Sequence, residues 1–324
     1  MPNEAPAIAV VVPTRGRPLR LRWLLNALHE QEIAEPFEVL VAWDGDPASG
    51  VVLAGHPLAG AGALRAIRMR EGAGPAEKRN AAWRAARAPV VAFTDDDCRP
   101  PAGWLEALLT AARADPDAIV QGATTPDPDE LAVFHRAPHA RSQQIAPPHP
   151  MAQTCNIAYP RALLERLGGF DESYADVAGE DVDLALRAQA AGAPLVAAPA
   201  ALTHHAVEWG LRRRLRGSWR WRHMARVVRE HPELRRELPL RGYAWSPRHA
   251  PLALALGGAL LARRAPLAAA ALALPYALST PRTYGSGPRA LARTAAELPG
   301  RALVDAAQLA ALLAGSIEQR TLLI

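Results

Sequence analysis

Residues 92–104 read AFTDDDCRPPAGW, which places three adjacent carboxylates, Asp95, Asp96 and Asp97, directly after an apolar segment. That segment, PVVAFT over residues 89–94, predicts a buried strand that ends at the acids. Because adjacent carboxylates repel each other, we expect a cation beside them. Asp95 and Asp97 offer the hard oxygen ligands that Mg²⁺ and Mn²⁺ prefer. The alternative is a turn that only caps the next helix, and so short a motif does not distinguish the two.

The segments around this strand predict an α/β fold. Continuous apolar runs, typical of strands covered on both faces, occur at residues 7–12, 37–43, 64–69 and 193–201. Helical patterns lie between them at residues 18–30, 75–88, 104–114, 160–167 and 181–191. This alternation predicts a mostly parallel sheet flanked by helices, in which ligands bind at the carboxyl ends of the strands. Asp44 follows the second run and shares that edge with the three acids. Residues 121–150, rich in Pro, Asp and His, predict a long loop or a mobile flap.

The composition indicates a globular protein with a sizeable core, because half of its 324 residues are apolar. Only two cysteines occur, Cys98 and Cys155, so we expect free thiols in a reducing compartment rather than a disulfide framework. The first residues, MPNEAPAIAVVVP, lack a basic start and a long apolar core. No secretion leader is therefore expected, and the cytoplasm is the expected location.

Charge divides the chain into an acidic front and a basic back. Residues 1–205 carry 18 Lys and Arg against 25 Asp and Glu, whereas residues 206–324 carry 19 against 7. Eight arginines and three tryptophans lie within residues 209–231. This composition predicts either an interfacial helix on a lipid surface or a solvated basic face that packs over the acidic front.

Two apolar stretches follow, at residues 251–262 and 265–278, and Arg263-Arg264 separates them. Each is shorter than the roughly 20 residues that a helix needs to cross a bilayer. Read as one span, they would place both arginines centrally, at a cost of about 2.5 to 3.5 kcal/mol each. We therefore expect a re-entrant or interfacial hairpin, with a soluble helical pair as the alternative.

Six short motifs occur in a fixed order along residues 7–205. They are Pro13-Thr14-Arg15, Asp44, Gly74 with Lys78-Arg79-Asn80, Asp95-Asp96-Asp97, Gly168-Gly169-Phe170-Asp171 and Gly179-Glu180-Asp181. Together they resemble the family 2 glycosyltransferases, which have the GT-A fold, a Rossmann-like α/β architecture. The resemblance implies a UDP-, dTDP- or GDP-sugar donor and an inverting displacement at its anomeric carbon. The expected acceptor is a glycan or lipid-linked hydroxyl. A role in synthesis of cell-envelope polysaccharide or glycolipid follows if the basic and apolar tail contacts a bilayer.

The resemblance also implies roles for individual residues. Those implied to bind the donor are Pro13, Thr14 and Arg15 in the nucleotide pocket, Asp44 at the base, Arg79 and Asn80 near the diphosphate or sugar, Asp95 at the ribose or sugar, and Asp96 beside it. Asp97 and His205 are implied to hold a divalent metal, Mg²⁺ or Mn²⁺. His204 is the alternative ligand, and a purely structural histidine remains open.

The expected chemistry requires a carboxylate base and a Lewis acid. A departing nucleoside diphosphate gains negative charge, which a metal ion offsets, and the acceptor hydroxyl needs a positioned base. We assign that base to Asp181, with Glu180 as the residue that could exchange roles with it. The structural alternative is that both acids only cap a helix, where the helix dipole favours negative charge.

The predicted domains are a GT-A domain at residues 1–208 and a basic and apolar helical region at residues 209–324, which would associate with the inner face of the cell membrane. The first comprises a donor half, about residues 1–120, and an acceptor half, about residues 121–208. One alternative is a sugar-phosphate nucleotidyltransferase, although that class carries a G-x-G-x-R loop absent after the first strand here. Another is a basic nucleic-acid-binding protein, but no helix-turn-helix, zinc spacing or RNA-binding signature supports a nucleic-acid partner.

Overall fold

The computed structural model describes residues 5–174, 178–279 and 287–324. Residues 1–4, which begin the segment MPNEAPAIAVVVP considered for a secretion leader, lie outside the described residues. The chain forms two compact units, of which the first comprises Met1–Glu130 with Ser142–Val207 and the second comprises Leu131–Arg141 with Glu208–Ile324. The assignment of a catalytic domain to residues 1–208 and a membrane-associated region to residues 209–324 stays a prediction.

The first unit contains one mixed sheet. Its strands are β1 (Ile8–Thr14), β2 (Phe37–Trp43), β3 (Leu64–Arg68), β4 (Val90–Thr94), β5 (Cys98–Arg99), β6 (Ile119–Pro126), β7 (Asn156–Pro160) and β8 (Leu195–His205). Across the sheet they lie in the order β3-β2-β1-β4-β7-β6-β8-β5. The pairs β3–β2, β2–β1, β1–β4 and β6–β8 are parallel, while β7 pairs antiparallel with both β4 and β6, and β5 with β8. The predicted α/β fold is confirmed.

Helices flank this sheet and also build the second unit. Those of the first unit are α1 (Pro18–His29), α2 (Pro47–Gly55), α3 (Pro57–Gly60), α4 (Pro75–Ala85), α5 (Trp104–Ala114), α7 (Arg161–Leu167) and α8 (Glu180–Ala190). Those of the second are α6 (Leu131–Arg136), α9 (Leu211–Ser218), α10 (Met224–Glu230), α11 (Pro239–Gly242), α12 (His249–Leu261), α13 (Pro266–Ser279) and α14 (Pro288–Gln319). Short 3-10 helices span Pro128–Glu130, Trp219–His223 and Pro232–Glu237. Proline is the first residue of α1 through α4, where its missing N–H costs no hydrogen bond.

Both faces of the central strands are buried, which explains their continuous apolar sequences. Alternate residues of β1 point to opposite sides. Val10 packs in the cluster that contains Leu25 of α1 and Leu105 of α5, whereas Val11 packs in the cluster that contains Trp83 of α4 and Leu184 of α8. Two hydrophobic clusters, one on each face of the sheet, therefore hold the carboxyl ends of β1, β2 and β4 in place.

The prediction of a long loop at residues 121–150 is wrong for part of that range. Strand β6 continues to Pro126, and α6 occupies Leu131–Arg136. Thr125 pairs with His204 of β8 despite the polar and Pro-rich sequence, because sheet pairing overrides the local composition.

The second unit contains the basic and apolar stretches. The basic segment forms α9, a 3-10 turn and α10, all of which pack against α14, rather than one continuous helix. The two apolar stretches form α12 and α13, which pack against each other. A Cβ on Gly258 would lie 2.9 Å from the Cβ of Leu272, so glycine allows the close approach of these helices.

Among the described helices, α14 alone is long and apolar enough to cross a membrane by length and composition. It packs against α9, α10 and α12. Its Asp305 is buried, accepts a hydrogen bond of 2.9 Å from Tyr276 Oη and lies 3.3 Å from Arg248 Nη2. The middle of α14 therefore carries a buried carboxylate that is paired within the second unit.

The turn after α7 provides a stability test. Gly168 and Gly169 both have positive φ, at +76° and +79°, but only Gly169 is enclosed, since its Cβ would lie 2.6 Å from Trp83 Nε1. We expect Gly168→Ala to cost about 1 kcal/mol of backbone strain. Gly169→Ala should cost about 2–4 kcal/mol because overpacking is added. Urea unfolding measures both values, and equal losses would contradict the packing described for Gly169.

Candidate active site

The three acids after β4 are compensated by a cation from the loop after β1. Asp96 is buried and accepts hydrogen bonds from Thr14 Oγ1 (2.6 Å) and Arg17 Nη1 (3.1 Å). The same Arg17 nitrogen lies 2.5 Å from Asp97 Oδ2. Burial and the charge of Asp97 raise the pKa of Asp96 to about 6, although Arg17 and Thr14 oppose the shift. The cation expected from the sequence is therefore supplied in part by the chain itself.

A second cation joins the acids of β4 to those of α8. The Arg79 side chain is 4% exposed, and it donates 2.9 Å hydrogen bonds to Asp95 Oδ1 and to Glu180 Oε1. Burial alone would lower the pKa of Arg79, but the charges of Asp95, Glu180 and Asp181 raise it overall. Arg79 therefore stays charged and brings two distant segments of the chain together.

Asp181, next to Glu180, is the carboxylate with the character of a base. It lies in the first turn of α8 and is partly exposed. Burial, followed by the charge of Glu180, raises the pKa of Asp181 to about 7, while Arg79 and the Val182 N–H oppose the shift. A carboxyl group that titrates near neutral pH can take a proton and release it again.

The pairing of β5 with β8 shows which of the two adjacent histidines lies near the acids. Cys98 pairs with His205 and Arg99 with His204, and consecutive strand residues point to opposite faces. His205 Nε2 lies 3.6 Å from Asp97 Oδ1, whereas His204 Nδ1 lies 3.1 Å from Thr125 Oγ1. Of the two histidines, it is therefore His205 that lies beside Asp97.

The donor set at Asp97 and His205 fits a divalent metal. His205 Nδ1 lies 2.8 Å from the Ala206 carbonyl oxygen. Because a carbonyl only accepts, Nδ1 is the donor in this contact, and Nε2 is the ring nitrogen that faces Asp97. No group of three or more metal-ligating side chains converges in the described residues. The chain would thus supply two ligands, and phosphate and water oxygens would complete the coordination of Mg²⁺ or Mn²⁺.

Asp44 lies between a buried cation and an exposed one. Lys78 Nζ contacts Asp44 Oδ1 and donates a 2.8 Å hydrogen bond to the Thr14 carbonyl oxygen. On the other side, Arg15 Nε lies 3.4 Å from Asp44 Oδ2, and its side chain is 73% exposed. Lys78 therefore ties α4 to the ends of β1 and β2, while Arg15 remains accessible to a ligand.

Asn80 is engaged entirely within the protein. It is fully buried, donates to the Phe170 carbonyl oxygen and Glu172 Oε1, and accepts from the Phe170 N–H and Trp83 Nε1. These bonds hold the Gly-Gly-Phe-Asp turn against α4. This placement favours a structural role for Asn80, whose predicted contact with the donor stays a prediction, as does that of the half-buried Pro13.

Most of the site residues predicted from the sequence therefore lie in one connected cluster of hydrogen bonds and ion pairs. Thr14 and Arg17 link β1 to Asp96 and Asp97, and Arg79 links Asp95 to α8. Two members were missed as site residues, Arg17 and Lys78. Lys78 belongs to the Lys78-Arg79-Asn80 motif. The need to balance the charge of the acids is the signal that could have indicated Arg17 and Lys78 as site residues.

Comparison with known proteins identifies the class. The model of the glycosyl transferase family 2 matches residues 9–168, and that of the glycosyl transferase family group 2 matches residues 90–280. The chain therefore belongs to the family 2 glycosyltransferases, which confirms the resemblance expected from its motifs.

Individual relatives agree with this class. Validoxylamine A glucosyltransferase of Streptomyces hygroscopicus subsp. jinggangensis (strain 5008) is 27% identical over 280 residues, covering 73% of this chain and 64% of the relative. Pre-mycofactocin glycosyltransferase of Mycobacterium tuberculosis is 31% identical over 215 residues, covering 61% of this chain and 42% of the relative. The chain thus matches less than two thirds of the length of either relative.

A solved structure supports the fold. The mannosyltransferase PcManGT from Pyrobaculum calidifontis, in complex with GDP-Man and Mn²⁺, superposes with a TM-score of 0.59 at 24% identity. The match covers 98% of this chain and 88% of that one. This likeness establishes the GT-A fold.

The two cations on Asp44 give a matched test of the site. We expect Lys78→Met to lower the free energy of unfolding by about 3–5 kcal/mol, because it leaves a largely buried carboxylate short of its partner. Arg15→Met should cost at most about 1 kcal/mol, because an exposed ion pair contributes little. Urea denaturation of both variants checks the difference, and a larger loss for Arg15→Met would contradict it.

Proposed function

We propose that the chain is an inverting, divalent-metal-dependent glycosyltransferase that moves a sugar from a nucleotide-diphosphate donor to a hydroxyl acceptor. The observation that carries this proposal is the pair of hydrogen bonds from Arg79 to Asp95 and Glu180. Through them the acids at the strand end and the base candidate on α8 share one charged cluster. An enzyme that stabilises a leaving diphosphate and deprotonates an acceptor needs both groups in one place.

In the proposed reaction Asp181 accepts the proton of the acceptor hydroxyl. The acceptor oxygen forms a bond to the anomeric carbon from one side, and the bond from that carbon to the diphosphate oxygen breaks on the other. The diphosphate leaves with the bonding electron pair. A single displacement of this kind inverts the anomeric configuration and requires one base but no enzyme nucleophile. Glu180, buried against Arg79, positions the base and raises its pKa.

Asp97 and His205 would hold the metal, Mg²⁺ or Mn²⁺, which when bound supplies a Lewis acid for the charge on the leaving diphosphate. Arg17 is 41% exposed and lies beside Asp97, so its guanidinium can also contact phosphate oxygens. The exposed Arg15 and the partly exposed Asp95 are the proposed contacts to the nucleotide and its sugar. A GDP-Man and Mn²⁺ complex of the similar PcManGT supports this choice of ligands.

The donor is a UDP-, dTDP- or GDP-sugar, and the acceptor is a glycan or a lipid-linked glycan at the inner face of the cell membrane, in cell-envelope synthesis. The support for an acceptor at the membrane is the α12–α13 hairpin of the second unit. Leu260 and Leu267, near the connection of its two helices, are each 87% exposed, and Leu278 is 76% exposed. Arg263 and Arg264 lie in that connection and are exposed. Apolar side chains beside cations suit insertion into an anionic lipid interface.

The metal requirement has a direct test. Release of nucleoside diphosphate from a nucleotide sugar should require Mn²⁺ or Mg²⁺ and stop in EDTA. We expect Asp97→Asn to lower the rate at least about 100-fold, because it removes a charged ligand. The exposed acid Asp117, changed to Asn, serves as the control and should leave the rate unchanged. Full turnover by Asp97→Asn, or by the wild type in EDTA, would refute the metal assignment.

The base assignment predicts a pH profile. Because Asp181 must be deprotonated to act, kcat/KM should rise with pH through an apparent pKa of about 7. Glu180→Gln removes a charge that raises this pKa, so the rise should move to lower pH. Asp181→Asn should lower kcat about 10²- to 10⁴-fold. Stopped-time assays across pH check these expectations, and a profile that Glu180→Gln leaves in place would argue against Asp181.

The membrane proposal is tested by vesicle sedimentation. We expect binding to vesicles that contain phosphatidylglycerol, and the double substitution Leu260→Ser with Leu267→Ser should weaken it at least about tenfold, because each leucine contributes apolar area. Leu19→Ser, an exposed leucine of the first unit, is the matched control. Equal binding by the double variant and the wild type would show that the hairpin does not contact lipid.

A further inference from the structure

The first unit contains a cavity of about 800 Å³ that the proposed reaction does not use. Its walls come from α1, the residues that follow β5, the 3-10 turn Pro128–Glu130 and the end of β8. None of the described residues to which we assign donor, metal or base roles lines it. The cavity is nevertheless close to them in sequence, because Arg99 on one wall is two residues from Asp97 and His204 is adjacent to His205.

One wall is a stripe on α1 that carries an aromatic side chain. Trp23 and Asn26 of α1 and Glu30, which caps the end of α1, are spaced three and four residues apart, so they lie on one side of the helix. Trp23 is 39% exposed. The Arg20 guanidinium lies 4.9 Å from the centre of the Trp23 ring, and Arg20 Nη2 is 2.5 Å from Glu130 Oε1. The indole is thereby held at the wall while part of its surface stays open.

The opposite wall is a fixed array of polar groups. Arg99 Nη2 donates 2.6 Å hydrogen bonds to Asp127 Oδ1 and to Asp129 Oδ2. Asp127 is 4% exposed and also accepts from the Asp129 N–H, whereas the Asp129 side chain is 74% exposed. His204, also on this wall, has its Nδ1 3.1 Å from Thr125 Oγ1. The hydrogen bonds among Arg99, Asp127 and Asp129 fix the positions of these groups.

The charge of the lining restricts the class of ligand. Four carboxylates line the cavity, from Glu30, Asp127, Asp129 and Glu130, against the guanidinium of Arg99 in the lining and that of Arg20, which pairs with Glu130. An anion such as a nucleotide or a phosphate would be repelled. A bare metal ion is also disfavoured, because the carboxylates of Asp127 and Asp129 already share the guanidinium of Arg99. A neutral ligand rich in hydroxyl groups fits best, because its O–H groups donate to carboxylates and accept from Arg99.

We propose that this cavity is a second carbohydrate site, separate from the donor site, that binds a neutral sugar ring. The apolar C–H face of a pyranose would pack against the open surface of the Trp23 indole. Its hydroxyl groups would bond to Glu30, Asp129 and His204. A volume of about 800 Å³ is within the range of ligand pockets and holds more than one ring. Because the walls include Arg99 and His204, the bound ring lies against the same pair of strands that carries Cys98 and His205.

The test is direct binding of simple sugars to the full chain. Methyl β-D-glucopyranoside and methyl α-D-mannopyranoside serve as neutral probes, and glucose 6-phosphate serves as the anionic one, with binding followed by saturation-transfer NMR and tryptophan fluorescence. At least one neutral probe should bind with a millimolar Kd, and glucose 6-phosphate should bind more weakly. Trp23→Ala should weaken the neutral probe at least about tenfold, since it removes the stacking surface. Asp129→Asn, which keeps the shape, should weaken it less.

Two controls make the result decisive. Trp209→Ala removes an exposed tryptophan of the second unit and should bind the probes as the wild type does. Binding of UDP or GDP with Mn²⁺ should be unchanged in Trp23→Ala, which also verifies that the variant is folded. If neither neutral probe binds the wild type at about 50 mM, or if Trp23→Ala binds as tightly, the proposal is wrong. If the wild type does not bind UDP or GDP with Mn²⁺, that result counts instead against the proposed transferase reaction.

Discussion

The buried guanidinium of Arg79 is the constraint on which the site depends. Its hydrogen bonds to Asp95 and Glu180 join the end of β4 to the start of α8, and Glu180 lies 101 positions from Arg79 in the chain. Removing one partner of a buried ion pair costs about 3–5 kcal/mol, because the remaining charge is left without compensation. The acids and the cation therefore fix each other, and Asp181 is held beside them.

At the other end of the acidic turn, a second arginine balances the charge of the carboxylates in the same way. Arg17 contacts both Asp96 and Asp97, so part of the positive charge that these carboxylates require is built into the loop before α1. His205 approaches Asp97 from β8, with its Nε2 3.6 Å from Asp97 Oδ1. A cluster whose acids are nearly but not fully compensated is suited to a ligand that brings both a cation and a diphosphate, since the two arrive with opposite charges.

Local pattern was enough to predict most of the fold and part of the site. Continuous apolar runs and Pro-initiated helices marked β1, β2, β4 and α1 to within a residue or two, because burial on both faces leaves a clear sequence signal. Asp95–Asp97 were identified because their charge follows a buried strand.

Features that depend on tertiary contacts could not be predicted in this way. His205 and His204 are adjacent in sequence, and only the register of β5 with β8 separates their environments. Asn80 was expected near the donor, yet its hydrogen bonds hold the Phe170 turn. Lys78 and Arg17 act through partners many residues away, for which no local periodicity exists. Residues 121–126 form part of a strand because β8 offers a pairing edge, although their composition resembles a loop.

A crystal structure with UDP or GDP and Mn²⁺ tests the central claim most directly, because anomalous scattering locates the metal without assumptions about the protein. The account predicts a manganese peak between Asp97 and His205 that also contacts the diphosphate, with Asp181 facing the space beside the diphosphate where the sugar would lie. A nucleotide bound away from the acidic turn, or a metal-bound diphosphate with Asp181 directed elsewhere, would contradict it.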